Sequence, residues 1–164
     1  AIGYNAGVFF APCSLAYSTL IIDQAADLNV PFALMGGDTW ETQEFIDVGG
    51  KEVEGAVMST AFDREKASTP EAQKFLKAYT DEYKSEPSAL SAMAYDAYLI
   101  TVDAIKRANS TDSQKIRDAL AATKDLEAVT GKTTFDKNGD PIKAAVIKEV
   151  KDAKFKYLDF VGVN

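Results

Sequence analysis

Short apolar runs alternate with an amphipathic segment at the start of the chain. The runs at 7–11 and 32–35 predict two buried strands, and residues 15–29 between them carry apolar side chains on one broad face, which predicts a helix. Because the connections are short, this order predicts a parallel pair of strands with a right-handed crossover. The loops at Ser14 and Asp38, which follow the two strands, should therefore emerge on the same edge of the sheet.

The stretch after the second strand combines two glycines with a carboxylate and an indole. Gly36 and Gly37 allow a sharp turn and leave Asp38 and Trp40 just past the carboxyl end of the strand. Open α/β sheets bind their ligands at that edge. A structural role for Asp38, as a turn or N-cap residue of the next helix, is the commoner explanation of these residues and stays open.

The pattern continues with one more strand and then becomes helical. A helix at 42–48 ends at Gly49-Gly50, and the next apolar run predicts a strand at 55–60. A helix beginning at Pro70 follows, and the segment 89–108 is so apolar that it predicts a mostly buried helix. Thr111 and Gln114 form a capping box for a further, shorter helix.

From Val129 onward the pattern predicts antiparallel strands joined by turns. The strands are predicted at 132–135, 142–150 and 155–161, with turns at 138–141 and near 152–153. Lys and Glu alternate at 148–151, which predicts a solvent-exposed strand. The fold class is therefore α/β, with antiparallel strands at the carboxyl-terminal end. Three parallel strands make a thin sheet, since mean sheets have about 5 to 6 strands, which suggests that the chain is part of something larger.

Composition narrows the possible functions. The 164 residues are 46% hydrophobic and 26% charged, as expected of a globular domain. A net charge of -7 disfavours a nucleic-acid partner. The chain has no histidine, which excludes Ser-His and Cys-His nucleophile pairs and histidine-based zinc sites. The single Cys13 excludes an internal disulfide.

Three candidate motifs do not predict chemistry. Residues 131–133 resemble the end of a P-loop, but the earlier glycine is missing and a strand follows where a helix is needed. Residues 136–140 resemble a calcium loop, but the glycine is misplaced and position twelve is Ile147, so they predict a hairpin turn. Asp96, in the apolar helix, is interpreted as a buried and paired structural acid. We predict no catalytic residue, no cofactor and no metal site.

Several segments, in this order, resemble one protein family. They are residues 9–14, 24–28, 36–40, 48–55, 94–97, 116–120, 130–136 and 138–140. Together they resemble the C-terminal half of the Leu/Ile/Val-binding proteins, which are type I periplasmic solute-binding receptors of ABC transporters. That family has two α/β lobes with flavodoxin-like or Rossmann-like folds, joined by three crossing segments, with an amino acid enclosed between them.

The resemblance implies a division of the chain. Residues 1–62 would be part of the second ligand-binding lobe, residues 63–128 the helical part of the first lobe, and residues 129–164 the crossover and C-terminal strands. The family's N-terminal half is absent from this sequence, so the fold would be incomplete and the chain would hold only part of the site. A companion chain or self-association would then complete it.

The resemblance also implies a set of ligand-binding residues. Asp38 matches the position that holds the ligand ammonium, and Thr39 and Trp40 would flank it, with the indole as an apolar wall. Ser14, beside Leu15, stands where many relatives carry an aromatic ring. Leu90 matches an apolar position of the pocket.

The function implied is that of a receptor that does no chemistry. It would bind a branched-chain or related amino acid in the periplasm or outside the cell, and present it to an ABC transporter permease. It would be membrane-associated through the transporter or a lipid anchor. Two alternatives stay open: a small flavodoxin-like enzyme with Asp38 as acid or base, and a ligand-sensing regulatory domain of the same receptor fold.

Overall fold

The computed structural model describes residues 6–30 and 33–162, which form two compact units. Unit 1 contains the residues up to Thr60 together with Ala145–Val161, and unit 2 contains Ala61–Ala144 with the residues after Val161. The chain begins with the first elements of unit 1: β1 (Val8–Phe10), α1 (Leu15–Asp27), β2 (Ala33–Gly36), α2 (Gln43–Gly49) and β3 (Val57–Thr60). Unit 2 follows with α3 (Pro70–Tyr83), α4 (Ala89–Ala108), α5 (Ser113–Ala121), β4 (Leu126–Ala128), β5 (Gly131–Phe135) and β6 (Pro141–Ile142). The strands β7 (Ala145–Lys151) and β8 (Lys154–Val161) complete unit 1.

Unit 1 is built on a five-stranded sheet with the order β1-β2-β3-β7-β8. The first three strands are parallel, and β7 and β8 extend the sheet antiparallel. This confirms the predicted parallel pair and the antiparallel end. The first residue of the predicted second strand, Phe32, lies outside the described residues.

One face of this sheet carries the core of unit 1. Side chains from this face and from the segments between β1 and β3 form one buried cluster: Ala11, Ile22, Trp40, Phe45, Ile46, Val53, Ala56, Met58 and Val150. The other face includes Val8 and Phe10 of β1, and Phe10 is 60% exposed. Parallel strands are usually covered on both faces, so this side of β1 is unusually open.

Lys148 corrects the interpretation of β7 as an exposed strand. Only 6% of Lys148 is exposed, and it lies between the buried Val146 and Val150 in the alternation of the strand. Its position therefore belongs to the core face, where a charged group needs a partner. Glu41 supplies that partner, with 2.5 Å between Lys148 Nζ and Glu41 Oε1.

Unit 2 combines three helices with a three-stranded antiparallel sheet of order β4-β5-β6. The Thr69 side chain caps α3 by accepting a hydrogen bond from the Ala72 N–H, with Pro70 in the first turn as predicted. The turn between β5 and β6 confirms the predicted hairpin. There the backbone N–H groups of Asp140 and Asn138 lower the pKa of Asp136.

Three expectations for the helices and strands of unit 2 were wrong in detail. The helix α4 has the predicted bounds but is not mostly buried, because its buried residues form a single stripe at spacings of three and four: Ala89, Ala92, Asp96, Ile100 and Ala104. Asp112, rather than Thr111, caps α5. The strand β4 was not predicted, and the predicted strand at 142–150 divides into β6 and β7.

None of the described helices combines the length and apolar character that crossing a membrane requires.

Asp96 is the buried structural acid that the sequence suggested. Its carboxylate accepts hydrogen bonds from the N–H of Val129 at 2.6 Å and from the N–H of Thr130 at 3.0 Å, and from the Thr130 hydroxyl. Lys143 Nζ lies 3.2 Å from the same carboxylate. This one side chain therefore joins α4 to the loop between β4 and β5 and to the segment after β6.

We expect Asp96→Asn to destabilise unit 2 by about 3 kcal/mol, because it leaves Lys143 without its counter-charge and places an amide donor against the Thr130 N–H. The midpoint of urea unfolding, followed by circular dichroism, measures the loss. Asp103→Asn on the same helix is the control: it removes only a partly exposed pair with Arg107, and should cost less than about 1 kcal/mol. Equal losses in the two variants would contradict the role assigned to Asp96.

Candidate functional site

The candidate site lies where β1 and β2 end. The two strands are parallel, with Phe10 opposite Met35, so the loops that follow them leave the same edge of the sheet. The first loop contains Pro12, Cys13 and Ser14, and the second is a short 3₁₀ turn from Asp38 to Trp40. This confirms that the structure brings the loops at Ser14 and Asp38 to one edge.

Asp38 opens the turn after β2. Gly37 before it is extended, and the Trp40 N–H donates to the Gly37 carbonyl at 3.1 Å, which closes the turn. The Asp38 side chain is partly exposed. Within residues 6–30 and 33–162, its carboxylate has no hydrogen-bond or ion-pair partner, so its acceptor capacity is available to a ligand.

Trp40 lies beneath this turn, in the core of unit 1. It is 0% exposed and stacks on Phe45, with ring centroids 5.0 Å apart and an angle of 21° between the planes. A Cβ added to Gly36 would lie 2.2 Å from the indole Cδ2, so only glycine leaves room for the ring there. Sequence reasoning placed the indole beside a ligand, but in this structure its faces are occupied by the core and it supports the turn from inside.

The other predicted residues of unit 1 take different positions at this edge. Ser14 occupies the N-cap position of α1, is exposed, and makes no side-chain cap hydrogen bond. Leu15 is partly buried against the core. The Thr39 hydroxyl donates to the Cys13 carbonyl at 2.7 Å and so joins the two loops. Asp38, Thr39, Ser14 and Leu15 thus belong to one pair of connected loops.

Leu90, the remaining predicted site residue, belongs to unit 2. It is the second residue of α4, two positions after the N-cap residue Ser88, and it is 46% exposed. The Ser88 side chain accepts a hydrogen bond from the Ser91 N–H at 3.1 Å, which fixes the start of the helix. An exposed leucine at a fixed helix start offers apolar surface to a ligand or to another protein segment.

Sequence reasoning missed the group that anchors the Asp38 turn. Glu41 follows the turn, and its carboxylate is bonded to two strands of the sheet: the Thr60 hydroxyl of β3 donates to it at 2.6 Å, and Lys148 of β7 pairs with it. The available signal was the placement of Lys148 between Val146 and Val150, which predicts a buried amine in need of an acid.

The arrangement offers binding groups rather than reactive ones. At the edge of unit 1 it combines the Asp38 carboxylate, which has no donor among the described residues, with the exposed Ser14 hydroxyl and apolar surface from Leu15. Among the described residues, no three acidic, histidine or cysteine side chains are grouped so that they could hold a metal ion. A partly exposed carboxylate of this kind suits a cationic group such as an ammonium.

Comparison with known proteins identifies the family to which the chain belongs. A sequence profile described as periplasmic binding protein matches residues 13–154, which is most of the chain. The chain therefore belongs to the periplasmic binding protein family. Two curated relatives are a Leu/Ile/Val-binding protein homolog of Brucella melitensis, 29% identical over 123 residues, and a leucine-, isoleucine-, valine-, threonine- and alanine-binding protein of Pseudomonas aeruginosa, 28% identical over 127 residues. Each match covers 74% of this chain and 32% of the relative.

Solved structures show the same relationship. A leucine-binding protein from Thermotoga maritima is 33% identical, with a TM-score of 0.90 over 98% of this chain and 46% of its own. A branched-chain amino acid transporter substrate-binding protein from Streptococcus pneumoniae, solved in complex with isoleucine, is 28% identical, with a TM-score of 0.81 over 94% of this chain and 44% of its own. The predicted type I periplasmic binding fold is confirmed. The chain spans about a third of the length of the curated relatives and under half of these structures.

We expect Gly36→Ala to destabilise unit 1 by about 1–3 kcal/mol, because the new methyl group would overlap the Trp40 ring and force the indole or the strand to move. Urea unfolding followed by tryptophan fluorescence measures the change. Gly37→Ala is the matched control, since its Cβ would meet nothing nearer than the Pro12 Cβ at 4.0 Å. A loss of stability in Gly37→Ala as large as in Gly36→Ala would contradict this packing argument.

Proposed function

We propose that this chain is part of an extracytoplasmic receptor that binds a branched-chain or related amino acid and delivers it to an ABC transporter. Membership of the periplasmic binding protein family supports this, and so do the Leu/Ile/Val-binding names of its relatives. The receptor does no chemistry on its ligand. It acts in the periplasm or outside the cell and is held at the membrane by the transporter permease or by a lipid anchor.

Asp38 is proposed as the acceptor for the ligand's ammonium group. The observation that carries this proposal is its partly exposed carboxylate at the carboxyl edge of parallel strands, without a donor among the described residues. A charge-assisted hydrogen bond between a carboxylate and an ammonium is short and strong, particularly where water is excluded. The ligand would therefore supply the donor that the described residues do not.

The neighbouring residues are proposed to set which side chain the ligand carries. Ser14 and Leu15, at the start of α1, are joined to the Asp38 turn through the bond between Thr39 and Cys13. Ser14 is small and exposed, and it leaves open a space that an aromatic side chain at the same position would fill. Leu90 of unit 2 is proposed as a further apolar contact on the family resemblance alone.

A second polypeptide segment is proposed to complete the receptor. The chain spans under half of its solved relatives, and the face of β1 that carries Val8 and Phe10 is open although parallel strands are normally covered on both sides. We propose that a segment corresponding to the N-terminal half of these relatives covers the open face of β1, and that the chain by itself associates with a second copy there.

Leucine binding tests the ligand proposal. In a thermal-shift assay of the chain, L-leucine at about 100 times its dissociation constant should add about 2.7 kcal/mol of stability. 4-Methylpentanoate, which is leucine without its amine, should add nothing, because it offers no donor to Asp38. Asp38→Asn should weaken leucine binding by about 10- to 100-fold.

Two controls separate the role of Asp38 from the question of whether this partial chain can bind a ligand by itself. Leucinamide keeps the ammonium but not the carboxylate, and should still respond to Asp38→Asn. The same assay repeated with the N-terminal half added asks whether the partial chain suffices. Equal stabilisation by leucine and 4-methylpentanoate, or unchanged leucine binding in Asp38→Asn, would contradict the role of Asp38.

Sedimentation velocity tests the open sheet face. We expect the chain on its own to self-associate reversibly, and Phe10→Ser to weaken that association by about tenfold because it removes a large apolar contact. Tyr17→Ser is the matched control: Tyr17 is similarly exposed, at 66%, but belongs to α1 rather than to β1. A chain that remains monomeric, or one weakened equally by both substitutions, would contradict the proposed docking face.

A further inference from the structure

The turn that carries Asp38 is short, and Trp40 and the hydrogen bond between Thr39 and Cys13 support it, while its last residue passes into Glu41. It is three residues long, and Gly37 at its start provides no side-chain cap. At its end, the Glu41 N–H donates to the Asp38 carbonyl at 3.0 Å, and the Thr42 N–H donates to the Trp40 carbonyl at 2.8 Å. With φ −80° and ψ 63°, Glu41 is the central residue of an inverse γ-turn. The backbone direction of Asp38 therefore depends on how Glu41 is held.

Glu41 is held by its side chain against the centre of the sheet. One carboxylate oxygen accepts a hydrogen bond from the Thr60 hydroxyl at 2.6 Å, and the other pairs with Lys148 Nζ at 2.5 Å. The side chains of Glu41 and Lys148 are only 10% and 8% exposed. Thr60 and Lys148 belong to the adjacent strands β3 and β7, where Met58 lies opposite Lys148 and Thr60 lies two residues further on the same face.

Stability alone does not explain this buried pair. Two charges removed from water lose hydration, and apolar residues of the same volume often serve a core equally well. Position 148 lies between two valines, where an apolar side chain would pack without difficulty. An ion pair with an additional hydrogen bond from Thr60 fixes the direction of the Glu41 side chain, because both carboxylate oxygens are bonded to atoms of rigid strands.

We propose that Glu41, Lys148 and Thr60 form a positioning network for ligand recognition, which holds the Asp38 turn in the orientation that receives the ligand. These residues do not contact the ligand; they act through Asp38, so this inference rests on the proposed function. A binding group must be held within a fraction of an ångström of its working position by the residues that support it. The Glu41 carboxylate, bonded to two strands and three residues after Asp38, provides such support.

Trp40 makes the network measurable without any ligand. It is the only tryptophan of the chain and lies between Asp38 and Glu41, fully buried in the core. Its fluorescence should therefore be emitted at short wavelength and be quenched weakly by acrylamide. Any loosening of the turn should expose the indole, shift its emission to longer wavelength and increase the quenching.

The test variant is the double substitution Glu41→Met with Lys148→Met, which removes both charges, keeps similar volume and leaves no unpaired charge in the core. We expect acrylamide quenching of Trp40 to increase and leucine affinity to fall by about 10- to 100-fold, while far-ultraviolet circular dichroism stays unchanged. Thr60→Val removes only the hydroxyl donor and should give a smaller change of the same kind. Asp81→Asn with Lys77→Met, which removes an exposed pair on α3, should change neither measurement.

The two readouts separate this inference from the proposed function. If leucine fails to bind both the chain alone and the chain with the N-terminal half added, the proposed function fails, and the quenching measurement still decides whether the network holds the turn. Unchanged quenching in the double variant would overturn the inference. So would original leucine affinity in a double variant whose quenching has increased, because Asp38 would then bind equally well from a loosened turn.

Discussion

A carboxylate that leaves water needs hydrogen-bond donors, and the described parts of both units are organised around this requirement. In unit 2, Asp96 takes its donors from two backbone N–H groups, a hydroxyl and Lys143, and so joins α4 to the loop after β4. In unit 1, Glu41 takes its donors from Thr60 and Lys148 and so joins a turn to two strands. Asp38 differs from both, because the described chain provides it with no donor. Asp38 stays partly exposed, so its carboxylate can be satisfied by water or by the ligand ammonium group proposed above.

The sequence predicted those features that depend on neighbouring residues. The bounds of α4, the start of α3 at Pro70 and the parallel order of the first strands follow from local periodicity, capping and loop length. The common edge of the Ser14 and Asp38 loops follows from the parallel order. The role of Asp96 could be predicted because an acid in an apolar helix is seldom left without a partner.

Other features depend on contacts between distant parts of the chain. Glu41 and Lys148 are separated by most of the sequence, and no local pattern pairs them. Whether Trp40 turns outward or into the core depends on the space left by Gly36 and the ring of Phe45. The short β4 exists only through its pairing with β5. Thr111 and Asp112 are adjacent candidate caps, and the geometry of the chain decides between them.

The hydrogen bond between Thr39 and Cys13 has a consequence for how ligand preference can evolve. Its acceptor is a main-chain carbonyl, so the bond does not require any particular side chain at positions 13 or 14. Mutations at these positions can change the shape of the surface beside α1 while the two loops stay joined and the acidic group on the second loop keeps its place. Under the proposed function, recognition of the amine and recognition of the ligand side chain would in this way be separable under selection, and changes at a single loop would alter which amino acids are bound.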